Sequence, residues 1–279
     1  MKTYNQAPLP FQGQKRRFLR QFKDVLNNYT PNATYIDLFG GSGLLSHTVK
    51  QYYPEAKVIW NDYDNYLQRL EHIEQTNALL SELRPLLKHE PRKVKVPEPT
   101  KKKLLEVIKT FEASHGYVDY VTLSAQLLFS GKFAADYNKL AKETWYNRIT
   151  LSPYQAEGYL NGVQRVQADY KLLFSQTKRL ENVVYLVDPP YLSTDTTTYG
   201  SNDYWRLRDY LDVLSVLDGS DYFYFTSNKS QIIELCEWIE TRTLTGNPFS
   251  GSNMITTNTS LNKDARYTDI MIYKLKSPD

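Results

Sequence analysis

The sequence predicts an α/β protein: a mixed, mostly parallel sheet with a C-terminal antiparallel hairpin and an inserted, mainly helical segment. Three observations predict it. Short apolar runs that end in or near an acid, with helical patterns between them, occur in both end portions of the chain. Between those portions, over about residues 75–162, the pattern is helical and broken by prolines. At the end of the chain MITTNTS and RYTDIMIYKL alternate like two strands flanking LNKDA.

Residues 33–39, ATYIDLF, read as a buried strand bounded by Pro31-Asn32 and by glycine. Gly40–Gly43, GGSG, then leads into LLSHTVKQYY, which reads as a helix. KVIWN at 57–61 is a second strand, it ends at Asp62, and a helical pattern covers about 65–88. Strand, glycine turn, helix, strand and acid make one βαβ unit, which favours a parallel pairing. Residues 90–103, EPRKVKVPEPTKKK, carry Pro91, Pro97 and Pro99 and read as a linker or extended arm. Helical patterns return at about 101–113 and 119–143. VQRVQA at 163–168 alternates like a strand, and VVYLV at 183–187 is the most apolar strand in the chain. A polar loop, a helix at 203–217, a strand at 221–226 and a helix at 229–240 precede the hairpin. The expected division is therefore 1–74 with 163–279 as the sheet-bearing domain, and 75–162 as the insertion.

Composition bounds the function. At 279 residues the chain holds one large domain or two small ones, with room for a real core. One cysteine, Cys236, forms no internal disulfide, no run is long enough to span a membrane, and MKTYNQAPLPFQGQKRR contains no signal-like apolar stretch. A reducing, cytoplasmic setting is expected. The four histidines are scattered and no CxxC occurs, so no metal site is expected. A net charge of +3 permits a nucleic-acid partner without arguing for one. The 23 tyrosines suit stacking on bases, although core packing accounts for most of them.

Asp37, Asp62, Asp169 and Asp188 all sit at or just after strand ends. In sheets of this kind that is the rim where ligands bind. Asp188-Pro189-Pro190-Tyr191 fixes its own backbone, removes two N–H donors and leaves carbonyls free to accept. A carboxylate beside a carbonyl suits an exocyclic amine, and the tyrosine offers a stacking face for the base that carries it. The glycine turn after Asp37 is neither GxGxxG nor a P-loop, and an acid at its start suits an amino group over a phosphate. Asp62 stands where a carboxylate takes a ribose diol, and NDYDN equally suits a helix cap.

These motifs, in this order, resemble the DNA adenine-N6 methyltransferases of the GATC-methylase type, the alpha group of amino-methyltransferases. DLFGGSG is similar to the family's cofactor turn, which implies that Asp37, Phe39, Gly41 and Gly43 bind S-adenosyl-L-methionine. NDYDNYL resembles its second-strand segment and implies that Asp62 holds the cofactor ribose, while ADYKLLF implies that Asp169 meets the cofactor adenine. PFQGQKRRFLRQF resembles its first motif, which adds Phe11, Gln14 and Lys15. The sequence has Gly13-Gln14-Lys15 where the family has Gly-Gly-Lys. DPPY is its catalytic motif, which implies that Asp188, Pro189, Pro190 and Tyr191 act on the amine and that Asp188 also borders the cofactor.

The resemblance implies a Rossmann-like seven-stranded fold, an inserted target-recognition domain, methylation of adenine N6 in double-stranded DNA, and base flipping. Alternatives are adenine-N6 or cytosine-N4 methylation of another nucleic acid such as RNA, and a non-catalytic nucleic-acid-binding paralogue. The enzyme is then an orphan or the methylating half of a restriction–modification pair, whose separately encoded endonuclease would be a partner. The family's Asn-Gly-x-x-Arg recognition signature is absent, so the target sequence stays open, as does the oligomeric state. Arg92, Lys93, Lys95, Lys101, Lys102 and Lys103 form a basic run suited to phosphates, or a solvated surface. FSGKFAADYNKL at 129–140, with Lys132, suits a groove or, by its aromatic spacing, a helix core. The Ser/Thr-rich loop 192–202 suits closure over a flipped base or an unstructured loop.

Overall fold

Thr34–Asp37 (TYID) forms β1, buried along nearly its whole length, as a strand must be when it lies at the middle of a parallel sheet. The computed structural model describes residues 3–129, 131–191, 205–242, 246–260 and 266–274. The chain divides into two units. The first comprises Met1–Gln6, Gly13–Asp64 and Gly158–Asp279. Its seven strands are β1, β2 (Lys57–Asn61), β3 (Gln164–Val166), β4 (Val183–Val187), β5 (Asp221–Ser227), β6 (Asn253–Ser260) and β7 (Arg266–Lys274). They lie in the order β3-β2-β1-β4-β5-β7-β6. The first five pair in parallel, and β7 runs antiparallel to both β5 and β6.

Chain order runs outward from β1 through β2 to β3 on one side, and through β4 to β5 on the other. The carboxyl ends of β1 and β4 therefore flank the switch point, where a crevice for ligands opens. Asp37 ends β1 opposite Leu186, and Asp188 lies two residues beyond Leu186. On one face, Ile36, Tyr185, Val187, Tyr222, Tyr224 and Ile272 form a core with Tyr210, Val213 and Leu217 of α9 (Leu207–Leu217). On the other, Phe18 and Phe22 meet Phe225 and Phe223 at 5.9 and 4.7 Å between ring centres. The alternation of Tyr and Phe along β5 follows from this two-sided burial.

The second unit, Ala7–Gln12 with Asn65–Glu157, is helical: α3 (Tyr66–Glu71), α4 (Ile73–Leu86), α5 (Glu98–His115), α6 (Tyr120–Leu127) and α7 (Tyr137–Lys142). Its core gathers Leu79, Leu83, Leu104, Ile108, Phe111, Leu127 and Trp145. A buried ion pair crosses it, with Arg69 Nε at 3.1 Å from both carboxylate oxygens of Asp119. The same guanidinium donates from Nη2 to the Pro10 carbonyl at 2.8 Å, which ties Ala7–Gln12 to α3. Leu9 adds a bond from its N–H to the Tyr66 hydroxyl at 3.0 Å.

Several expectations shift. The insertion starts at Asn65 and ends at Glu157, instead of at 75 and 162, and it takes six residues from near the amino end with it. The helical run at 65–88 is two helices, broken at His72, whose φ of −102° and ψ of 19° leave the helical region. Prolines do not delay α5 to residue 101, because Pro97 is its N-cap and Pro99 lies in the first turn, where no N–H is needed. The run at 119–143 is α6 and α7, each capped by an aspartate, Asp119 accepting from Thr122 N–H and Asp136 from Lys139 N–H. Helix α1 (Leu19–Leu26) was not expected. The proline arm is not loose: Lys93 and Val96 N–H donate to the Asn147 and Trp145 carbonyls at 2.7 and 2.8 Å, and Asn147 N–H returns to Val94 at 3.1 Å. The loop 192–202 and the hairpin tip LNKDA lie outside the described residues.

Candidate active site

The site begins with the turn between β1 and α2 (Leu44–Tyr52). Gly41 and Gly43 have φ of 45° and 74°, and Gly43 N–H closes the turn on the Gly40 carbonyl at 2.6 Å. A Cβ on Gly40 would overlap the Trp60 ring and stand 2.9 Å from the Asn61 carbonyl. The turn thus needs glycine for conformation and for close packing against β2.

Asp37 enters this turn fully buried. Its Oδ2 accepts from the Ser46 hydroxyl at 2.7 Å, while Oδ1 has no hydrogen-bond partner among the described residues. Burial pushes the carboxyl up to about 7, and the charge of Asp188 adds to this. Ser46, the Phe39 N–H and Lys15 act in the opposite direction. Asp188, just past β4, is ion-paired through Oδ2 to the Lys15 ammonium, which also donates to the Gly13 carbonyl at 2.7 Å. Burial raises the Asp188 carboxyl above its ordinary range, Lys15 opposes the rise, and Asp269 on β7 adds to it. Lys15 Nζ lies 5.4 Å from the centre of the Tyr191 ring, so one cation faces both the acid and the aromatic of DPPY.

Asp62, at the end of β2, is fully buried and accepts from Arg165 Nε of β3 at 2.8 Å. Asp169 is exposed and is the N-cap of α8 (Tyr170–Thr177), accepting from Lys171 N–H at 2.7 Å. Phe39 packs on Tyr170 and Trp205 at 4.8 and 5.5 Å between ring centres. Gln14 is half-buried in the first unit. Phe11 belongs to the second unit, edge-on to Tyr66 at 5.6 Å. The structure thus brings Lys15, Asp37 and Asp188 together around the switch point, with Asp62 one strand away.

Sequence reasoning missed Ser46, Arg165, Asn61 and Asp269. Asn61 joins two rim segments, donating from Nδ2 to the Leu38 and Ala168 carbonyls at 3.0 and 2.9 Å and accepting from Ala168 N–H at 3.0 Å. It stands beside Asp62 in NDYDN, so the motif carried the signal.

In the second unit, Arg92, Lys93, Lys95, Lys102, Lys103 and Lys132 are exposed. Arg92 is occupied by the Ile149 carbonyl at 2.6 Å, and Lys132 by Glu143 at 2.6 Å. Lys101 does not belong to the surface run. It lies on the buried face of α5 with Leu104, Ile108 and Phe111, and its ammonium donates to the Glu143 carbonyl at 2.8 Å. Among the described residues, no group of three or more His, Cys, Asp or Glu side chains is arranged to hold a metal ion. No described helix is long and apolar enough to cross a membrane.

A family model for D12 class N6 adenine-specific DNA methyltransferases matches residues 11–219. The chain belongs to this family. A Haemophilus influenzae protein, provisionally named a methyltransferase, is 37% identical over 280 residues, covering 98% of this chain and 93% of that protein. Among solved structures, a SAM-dependent methyltransferase from Agrobacterium tumefaciens aligns with a TM-score of 0.40 at 10% identity, over 93% of this chain and 61% of that one. A precorrin-6y C5,15-methyltransferase from Geobacter metallireducens aligns with a TM-score of 0.38 at 9% identity, over 98% and 100%. Likenesses this low add nothing to the strand order described above.

Membership of the D12 class makes the chain a methyltransferase of a family that uses S-adenosylmethionine. The turn fits that cofactor. It has glycines where the backbone must come close to a ligand, and a buried carboxylate oxygen that lacks a donor suits the ammonium that S-adenosylmethionine carries.

Proposed function

We propose that this D12-class enzyme methylates the N6 amino group of adenine in double-stranded DNA, and that the target base turns out of the helix to reach Asp188. The supporting observation is the DPPY acid itself, at the switch point beside Asp37 and held by Lys15. S-adenosylmethionine supplies an electrophilic methyl group when bound. Asp37, Phe39, Gly41, Gly43 and Asp62, with Gln14, Lys15 and Asp169, are the residues proposed to hold it.

Lys15 occupies Oδ2 of Asp188 and leaves Oδ1 without a hydrogen bond among the described residues. That oxygen and the Pro189 carbonyl accept the two protons of an amino group. Accepting both aims the nitrogen lone pair away from the ring, so catalysis is mainly positioning and electrostatics. The amine loses its proton only after the new bond forms, so Asp188 needs no strong basicity. Tyr191 stacks on the displaced base. One such stack contributes about 1–3 kcal/mol, against a flipping cost of a few kcal/mol, so phosphate contacts supply the remainder. Lys93, Lys95, Lys102 and Lys103 of the helical unit are the proposed source of those contacts.

The test is transfer of labelled methyl from S-adenosylmethionine to unmethylated duplex DNA, followed by digestion to nucleosides. Labelled N6-methyladenine, absent with Asp188→Ala while cofactor binding persists, is the expected outcome. Label on RNA alone, or as N4-methylcytosine, overturns the substrate. Loss of cofactor binding with Asp188→Ala overturns the role given to that residue.

A further inference from the structure

A second cavity of about 580 Å³ lies within the sheet-bearing unit, away from the DPPY residues. It is lined chiefly by the later turns of α2, with Lys23 of α1 and Asn161-Gly162 ahead of β3. It plays no part in the proposed methyl transfer. Its described lining residues include Lys23 and Lys50 and no carboxylate.

Both lysines are available to a ligand. Lys50 is set in place by a bond from its ammonium to the Ala56 carbonyl at 2.9 Å, which leaves two of its three protons. Gly162 makes room for it, since a Cβ there would stand 2.7 Å from Lys50 Cε. The Lys23 ammonium makes no hydrogen bond or ion pair among the described residues.

His47, also in the lining, is 2% exposed and packed on Tyr159 and Tyr4. Its Nδ1 accepts the Leu160 N–H at 3.1 Å, which places the ring proton on Nε2. Nε2 has no acceptor among the described residues. Burial, with the neighbouring charge of Lys23, holds the ring down to about 4, so it is a neutral N–H donor at pH 7.

We propose that this cavity is an anion site for a phosphate-bearing ligand, held by Lys23 and Lys50. Two ammonium groups, with no carboxylate among the described lining residues, select for negative charge. The volume suits a di- or triphosphate better than a single ion. The same chemistry serves a free polyphosphate or a backbone phosphate of DNA.

The experiment titrates the full chain with tripolyphosphate by calorimetry, and separately with a duplex oligonucleotide over a range of salt. It compares wild type, Lys23→Ala/Lys50→Ala and Lys23→Arg/Lys50→Arg, each checked for an unchanged melting curve. Tripolyphosphate affinity is expected to fall at least about tenfold in the alanine pair and to recover in the arginine pair. If the free ligand is the occupant, DNA affinity is unchanged. If the backbone is, DNA affinity falls and its salt slope flattens by about 1–2, with the same recovery. Both tripolyphosphate and DNA binding indifferent to the two lysines overturns the proposal. Methyl transfer is not read, so the outcome is independent of the proposed substrate.

Discussion

Asp37 places a measurable pH dependence on the folded state. Its carboxyl titrates near 7 when buried and near 3.8 as an unperturbed group. A raised value means that the folded state holds the proton more tightly than the unfolded one. The contribution of Asp37 to stability is therefore greatest at low pH and is lost as pH rises from about 4 to about 7, the reverse of the usual carboxylate. Between pH 5, where folded Asp37 is still protonated, and pH 8, where it is charged, the loss is about 3 kcal/mol. Asp37→Asn keeps an acceptor for Ser46 and puts an uncharged group where Oδ1 lies, so it mimics the protonated form. Urea unfolding of the two proteins without cofactor at pH 5 and pH 8 isolates the effect. Contributions common to both, such as that of Asp188, largely cancel. The variant is expected to gain about 3 kcal/mol on wild type in going from pH 5 to pH 8. A relative gain below about 1 kcal/mol would show that Asp37 is not the buried, under-bonded acid described here.

Three further outcomes are expected. Lys15→Met removes the cation that holds the Asp188 carboxyl down, so the acid limb of the methyl-transfer profile moves to higher pH, while Lys15→Arg moves it less; an unmoved limb dissociates Lys15 from the ionisation of Asp188. Gly40→Ala forces the turn away from Trp60 and Asn61 and costs about 1–3 kcal/mol in thermal or urea unfolding, with weaker cofactor binding by calorimetry. Lys102→Gln/Lys103→Gln reduces the salt slope of DNA binding by about 1 for each phosphate no longer neutralised, and an unchanged slope returns these lysines to plain solvated surface.

The parts of the fold that sequence reveals are those set by local pattern. KVIWN and VVYLV are strands from first residue to last, because apolar runs such as VIW and VVYLV are what doubly covered strands require. The glycine turn and the strand-end acids were equally visible, since both rest on residue type at a fixed place. What stayed hidden depends on partners distant in the chain. The Lys15–Asp188 pair spans 173 positions, and no local pattern specifies it. Arg165 on Asp62 is of the same kind, at 103 positions. Lys101 is a different failure. Its spacing to Leu104, Ile108 and Phe111 puts all four on one helix face, and that signal was masked by the charges beside it.

The bonds from the helical unit to Ala7–Gln12 bear on how that unit can be exchanged among relatives. Because β2 and β3 are neighbours in the sheet, the insertion leaves and re-enters between adjoining strands, and it looks like a cassette removable by two cuts. It is not one. Arg69 and Tyr66 inside the cassette hold the backbone of Pro10 and Leu9 outside it. A graft of residues 65–157 alone would strand that hexapeptide against foreign side chains, three residues ahead of Lys15. A chimera that exchanges the helical unit while keeping the sheet must therefore carry four junctions, two around residues 65–157 and two around the hexapeptide that travels with its helices.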